Sequence, residues 1–103
     1  MAVTVQVRSG ALLKATYVAF FMYYVYILYS EKCNRYYIGY SADINARIVR
    51  HNSGMVSATR NCTPYKICRF KEFNNKMDAR KEEIRIKKQK SRTYIESLIA
   101  GNW

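Results

Sequence analysis

From Tyr23 to Tyr40 the chain reads YYVYILYSEKCNRYYIGY, two runs of aromatic and β-branched residues around a short polar stretch. Such residues suit strands, and Ser30–Asn34 supplies turn formers. The pattern predicts a hairpin with strands over Tyr24–Tyr29 and Arg35–Tyr40. Side chains alternate between sheet faces, so the pairing register decides whether Tyr26 and Tyr37 share one. Pairing Tyr29 with Asn34, or Ser30 with Cys33, sets the two tyrosines opposite each other. Pairing Tyr29 with Arg35 sends them to opposite faces. The pattern leaves the register open.

Beyond Tyr40 the period lengthens. Ser41 or Asp43 can cap a helix running to about Asn52 and closed by Gly54. Ile44 and Ile48 form its apolar stripe, and Arg47 and His51, four apart, run along the edge of that stripe. Ser53–Pro64 is a polar loop containing Arg60, Asn61 and Thr63. The segment YKICRFKEF, Tyr65–Phe73, predicts a third strand, though its alternation is ragged. Asn74 or Asn75 can cap a second helix over about Lys76–Lys90. On its wheel Ala79, Glu83, Ile86 and Lys90 share one face, while Met77 and Ile84 fall on another. Thr93 and Glu96 have capping-box spacing for a short last helix that packs through Tyr94, Ile95, Leu98 and Ile99. The expected fold is a small α/β (α+β) domain over residues 22–103, a three-stranded, mainly antiparallel sheet flanked by helices.

Residues 1–21 do not share this pattern. Arg8 and Lys14 ahead of Ala-Thr-Tyr-Val-Ala-Phe-Phe give a faint likeness to a signal peptide. The apolar run continues into the tyrosine strand, however, without a helical apolar region or a persuasive cleavage site. It is also too short and too interrupted by polar residues to cross a membrane. These residues are set apart as an extension, either a start placed too early (Met22 follows at once) or an extra strand.

A chain of 103 residues has room for one core. Half of it is apolar, enough to fold and too much for disorder. Its formal charge of +11, from 18 Lys and Arg against 7 Asp and Glu, points to a polyanionic partner, most often nucleic acid. A ribosome-associated protein or a merely basic one has the same charge. The three cysteines, Cys33, Cys62 and Cys68, show no C-x-x-C pairing, and with one histidine in the chain they give poor support to structural zinc. The expectation is buried free thiols in a cytoplasmic protein with no membrane partner.

Several of these residues stand in an ordered series. V-Y-I occupies 25–27 and Y-I-G occupies 37–39. Arg47 comes eight residues past Gly39, His51 four further on, and Glu83 ends an A-x-x-x-E. In this series the chain resembles the GIY-YIG endonuclease family. That family includes the nuclease domain of the bacterial excision-repair incision subunit, homing endonucleases and some restriction enzymes. The stretches YYVYILYS, HNSG and IKKQKSR are similar to its small single-domain bacterial members, and the resemblance covers roughly residues 22–95. It departs from the pattern in having Val25 where the family name has Gly, and Tyr40 where the repair members carry Lys. A late polar residue used by some members has no match.

The resemblance implies metal-dependent hydrolysis of DNA phosphodiester bonds, structure-dependent in repair or recombination, with RNA not excluded. It makes Tyr37 the general base, helped by Tyr26 or His51. A phenol, with its ordinary pKa of about 10, is a weak base near neutral pH without nearby cations or a metal. Read as side chains alone, these tyrosines are half-buried packing with a wet hydroxyl. Arg47 has the planar fork that suits a phosphate and the charge developing on its oxygens. Otherwise it is a solvated helix arginine. His51 can bond the nucleophile or the phosphate, or be a structural histidine. Glu83, set between Ala79 and Ile86, is costly if buried unpaired. A divalent cation offsets that cost, and Mg²⁺ (or Mn²⁺), which keeps several waters, fits a lone carboxylate. The plain alternative is an ion pair with Lys87 four residues on. Arg60, Lys76, Lys81, Arg85, Lys87, Lys88, Lys90 and Arg92 suit backbone phosphates better than base reading. A domain of this size leaves little room for a separate specificity element, so a targeting partner is expected. The oligomeric state is not legible.

Overall fold

The computed structural model describes residues 22–103, and the expectation of an N-terminal extension lies outside them. The two aromatic runs form β1 (Tyr23–Ser30) and β2 (Arg35–Ser41), antiparallel and joined by a four-residue turn. Asn34 closes the turn in the left-handed region, at φ 51°, where Asn is well tolerated. Its side-chain oxygen accepts from Tyr29 Oη at 2.7 Å and from Arg92 at 2.6 Å, which pins the turn to the C-terminal helix. The register pairs Ser30 with Arg35, and so Leu28 with Tyr37 and Tyr26 with Gly39. This is none of the pairings weighed from the pattern, yet it has the even spacing that puts Tyr26 and Tyr37 on one face. They sit there as diagonal neighbours.

β3 (Tyr65–Phe73) adds on the far side of β1, so the sheet order is β2-β1-β3 and every pairing is antiparallel. The β1–β3 register slips by one between Ile27 and Leu28, which pair with Arg69 and Ile67 and leave Cys68 as the extra residue. That bulge explains the ragged alternation, because the face each side chain takes changes there. Three helices complete the domain: α1 (Ile44–Asn52), α2 (Lys76–Gln89) and α3 (Arg92–Ser97), the last running into a final turn over Leu98–Asn102. Asp43 and Asn75 cap α1 and α2 by accepting the N–H groups of Ala46 and Asp78. Ser91 caps α3 by accepting the Tyr94 N–H, in place of the expected Thr93. The basic run ends there, and the serine has the extended backbone a cap requires.

Each face of the sheet carries its own core. Val25, Ile27 and Ile38 pack with Ala79 and Ile86 of α2 and with Leu98. On the opposite face Tyr26 and Leu28 pack with Cys62, Tyr65 and the half-buried Tyr37, Ile44 and Ile48. Met77 and Ile84, on the other face of the wheel, are exposed.

The cysteines correct the sequence reading. Cys33 and Cys62 form a disulfide, their Cα atoms 5.5 Å apart, and Cys68 alone is free. Strand pairing is the cause. Ser30 faces Tyr65, so Cys33, three residues after one, and Cys62, three before the other, leave the sheet at the same end.

Candidate active site

The site forms where the Tyr26 face of the sheet meets α1. Tyr26 points inward from the central strand and is 2 % exposed. Its hydroxyl lies 3.3 Å from His51 Nε2, and its ring meets the imidazole edge-on. Burial pushes the Tyr26 phenol up to about 12, and the neighbouring Arg47 guanidinium offsets only part of that effect. Tyr26 is therefore a hydrogen-bonded, protonated phenol across the physiological range.

His51 comes from the last turn of α1 and is fully buried. Its Nδ1 lies 2.8 Å from the hydroxyl of Thr59, itself buried in the loop that follows. Thr59 Oγ1 donates to the Val56 carbonyl at 3.4 Å. Having given its one proton away, that oxygen accepts from Nδ1–H, which leaves Nε2 as the acceptor for Tyr26. Burial, then the charges of Arg47 and Arg50, hold the His51 imidazole below its ordinary pKa, so the pair is neutral on both sides. Asn52, next along, donates to the Tyr65 carbonyl at 3.0 Å and accepts its N–H at 2.7 Å, fixing the end of α1 on the start of β3.

Tyr37 lies on the same face and is half-buried, its ring 4.8 Å from the His51 ring between centroids. Lys87 Nζ stands 5.7 Å from the Tyr37 ring centroid. Arg47, one turn before His51 on α1, is half-exposed and close enough to bias both Tyr26 and His51. Glu83 reaches the same neighbourhood from α2, where its charge also acts on Tyr26. Its side chain is 9 % exposed, with Oε2 3.0 Å from Lys87 Nζ and Oε1 3.7 Å from Arg80. Arg80 in turn lies over the Tyr40 ring, so a cation on α2 stands beside the residue that follows Gly39.

The five residues singled out by spacing thus come from four elements to one place. The basic residues do not. Lys87 alone touches the site, while Lys76, Lys88 and Lys90 are exposed and strung along α2 over roughly 20 Å. Arg60 donates to the Gly54 carbonyl, Arg92 is engaged by Asn34 and Glu96, and Arg85 forks onto Glu82. Sequence reasoning missed Arg80 and Thr59. Arg80 carries a signal in retrospect, three residues before Glu83 on the same helix. Thr59 carries none, because only the folded loop brings it to His51.

Whether the site suits a divalent ion turns on Glu83. Among the described residues no group of three or more acidic, histidine or cysteine side chains converges, and Glu83 is the carboxylate whose charge reaches Tyr26. Hard cations that keep most of their water shell accept such a site. The cations now on Glu83 are long, half-exposed side chains able to swing aside. The residues fit.

The chain is similar to known proteins of one family. The family model described as "GIY-YIG catalytic domain" matches residues 22–95. A UPF0213 protein of Halobacterium salinarum is 36% identical over 81 residues, covering 76% of this chain and all of that protein. Another, from Listeria welshimeri, is 35% identical over 77 residues, 72% of this chain and 86% of the relative. The solution structure of a UPF0213 protein from Bacillus halodurans superposes with a TM-score of 0.50 at 32% identity, covering 79% of this chain and 85% of the other. The protein belongs to the GIY-YIG nuclease family and is similar to its small UPF0213 members.

Proposed function

We propose that the protein is a metal-dependent endonuclease that hydrolyses DNA phosphodiester bonds, in repair or recombination. The convergence of Tyr26, Tyr37, Arg47, His51 and Glu83 supports this reading. Tyr37, the more accessible of the two phenols, orients the attacking water, and takes its proton as the phenolate, the phenol's own proton having first passed to solvent. Tyr26 and His51, both neutral, hold that arrangement in register through their shared hydrogen bond. The Arg47 fork holds the non-bridging oxygens as negative charge builds on them. Glu83 would hold Mg²⁺ or Mn²⁺, which would supply Lewis-acid stabilisation of the charge developing on the phosphate and the departing oxygen. Exposed Lys76, Lys88 and Lys90 bind flanking phosphates and give affinity without sequence preference.

The ion pairs on Glu83 favour one other reading, a nucleic-acid-binding module that keeps the fold without cutting. Mg²⁺-dependent nicking decides between them. Wild type, Glu83→Ala and Tyr37→Phe are compared on duplex, flap, branched and single-stranded DNA, with a parallel RNA panel. Cutting by the wild type that both variants lose supports the enzyme. Equal residual cutting by all three sinks the assigned site, and binding without cutting on any substrate leaves the module.

A further inference from the structure

Beside Tyr26 on the sheet lies a cavity of about 420 Å³ that the reaction does not use, lined by Tyr24, Asp43, Ile44, Asn45, Phe70 and Glu72 among others. Its position follows from two elements already in the site. Tyr24 precedes Tyr26 by two residues on β1, so both point to one face about 7 Å apart. Ile44 precedes Arg47 by one turn on α1. Its floor is aromatic. Tyr24 and Phe70 meet edge-on with centroids 5.8 Å apart, and Phe70 is 50 % exposed on the edge strand, with Ile67 beside it. Its rim is polar. Asn45 offers an amide, and Asp43 and Glu72 offer carboxylates, of which Asp43 Oδ1 already accepts the Ala46 N–H.

We infer that this cavity takes one unpaired nucleobase of the substrate strand, next to the phosphate that is cut. The inference rests on the reading of the chain as acting on nucleic acid and names the substrate class, a strand unpaired at the cleavage point. An exposed aromatic face stacks on any base, and such stacking is typically strong and tolerant of sequence. The two carboxylates repel a phosphate from the cavity but accept hydrogen bonds from the amino groups of adenine, cytosine or guanine. A base inside an intact duplex reaches this place only after leaving its stack and its partner, which costs a few kcal/mol. An unpaired base reaches it without that cost.

The test uses the full chain with chelator present, so that nothing is cut. Binding is measured by fluorescence anisotropy on a single-stranded oligonucleotide and on a blunt duplex, for wild type, Phe70→Ala and Phe70→Trp. Phe70→Ala is expected to weaken single-strand binding about tenfold and leave duplex binding unchanged, with Phe70→Trp restoring it. 2-Aminopurine in the single strand is expected to be quenched by wild type and not by Phe70→Ala. Equal losses on both nucleic acids, no loss on either, or self-association that Phe70→Ala abolishes, overturns the inference. When the same strands are then given Mg²⁺ in place of chelator, absence of cleavage by wild type with the single-strand loss intact removes the proposed reaction and keeps the pocket. Normal cleavage with unchanged single-strand affinity in Phe70→Ala does the reverse.

Discussion

Tyr26 lies across the space that a side chain at Gly39 would occupy: a Cβ added there would fall 2.6 Å from Tyr26 Cζ. The two face each other across β1 and β2, and the missing side chain lets the phenol cross the sheet towards His51. Gly39→Ala is therefore expected to destabilise the fold by about 1–3 kcal/mol through overpacking, and to abolish cleavage with it. Denaturant unfolding of a cycle with Tyr26→Ala checks the cause. The strain is relieved only if Gly39→Ala costs much less in the Tyr26→Ala background.

Glu83→Gln keeps the shape of the side chain and removes its charge. Cleavage is expected to fall on the order of a hundredfold or more, while binding to uncut DNA holds or tightens as Lys87 and Arg80 are released. Parallel cleavage and binding measurements check this. A matched loss in both points to a structural role instead.

Stability should depend on pH through His51. Its folded-state pKa lies below the unfolded value of about 6.5. Between the two the unfolded chain binds the extra proton, so stability rises with pH through this window and falls as pH drops below about 6.5. Denaturant midpoints from pH 7.5 to 5 should drop more for wild type than for His51→Gln. Parallel curves would remove His51 as the cause.

The Cys33–Cys62 bridge spans 29 positions of sequence and ties the β1–β2 turn to the loop before β3. In the oxidised protein Cys33→Ser is expected to cost about 3 kcal/mol. A thiol reductant should impose the same loss on wild type and none on the variant. Unfolding with and without reductant measures both.

The sequence alone determined the element order, the strand positions and the face of α2 that carries Ala79, Glu83 and Ile86. Period and capping residues are local properties, and here local preference and global fold agree. The series from Tyr26 to Glu83 also pointed to five residues before any geometry was known. Tertiary structure decided the rest, because each remaining feature depends on pairing between distant segments. The hairpin register put Gly39, and not Tyr37, opposite Tyr26. The β1–β3 pairing joined Cys33 to Cys62, which the sequence read as free thiols. The bulge at Cys68 made β3 look irregular. Only the folded loop brought Thr59 to His51, and so chose which imidazole nitrogen faces the phenol.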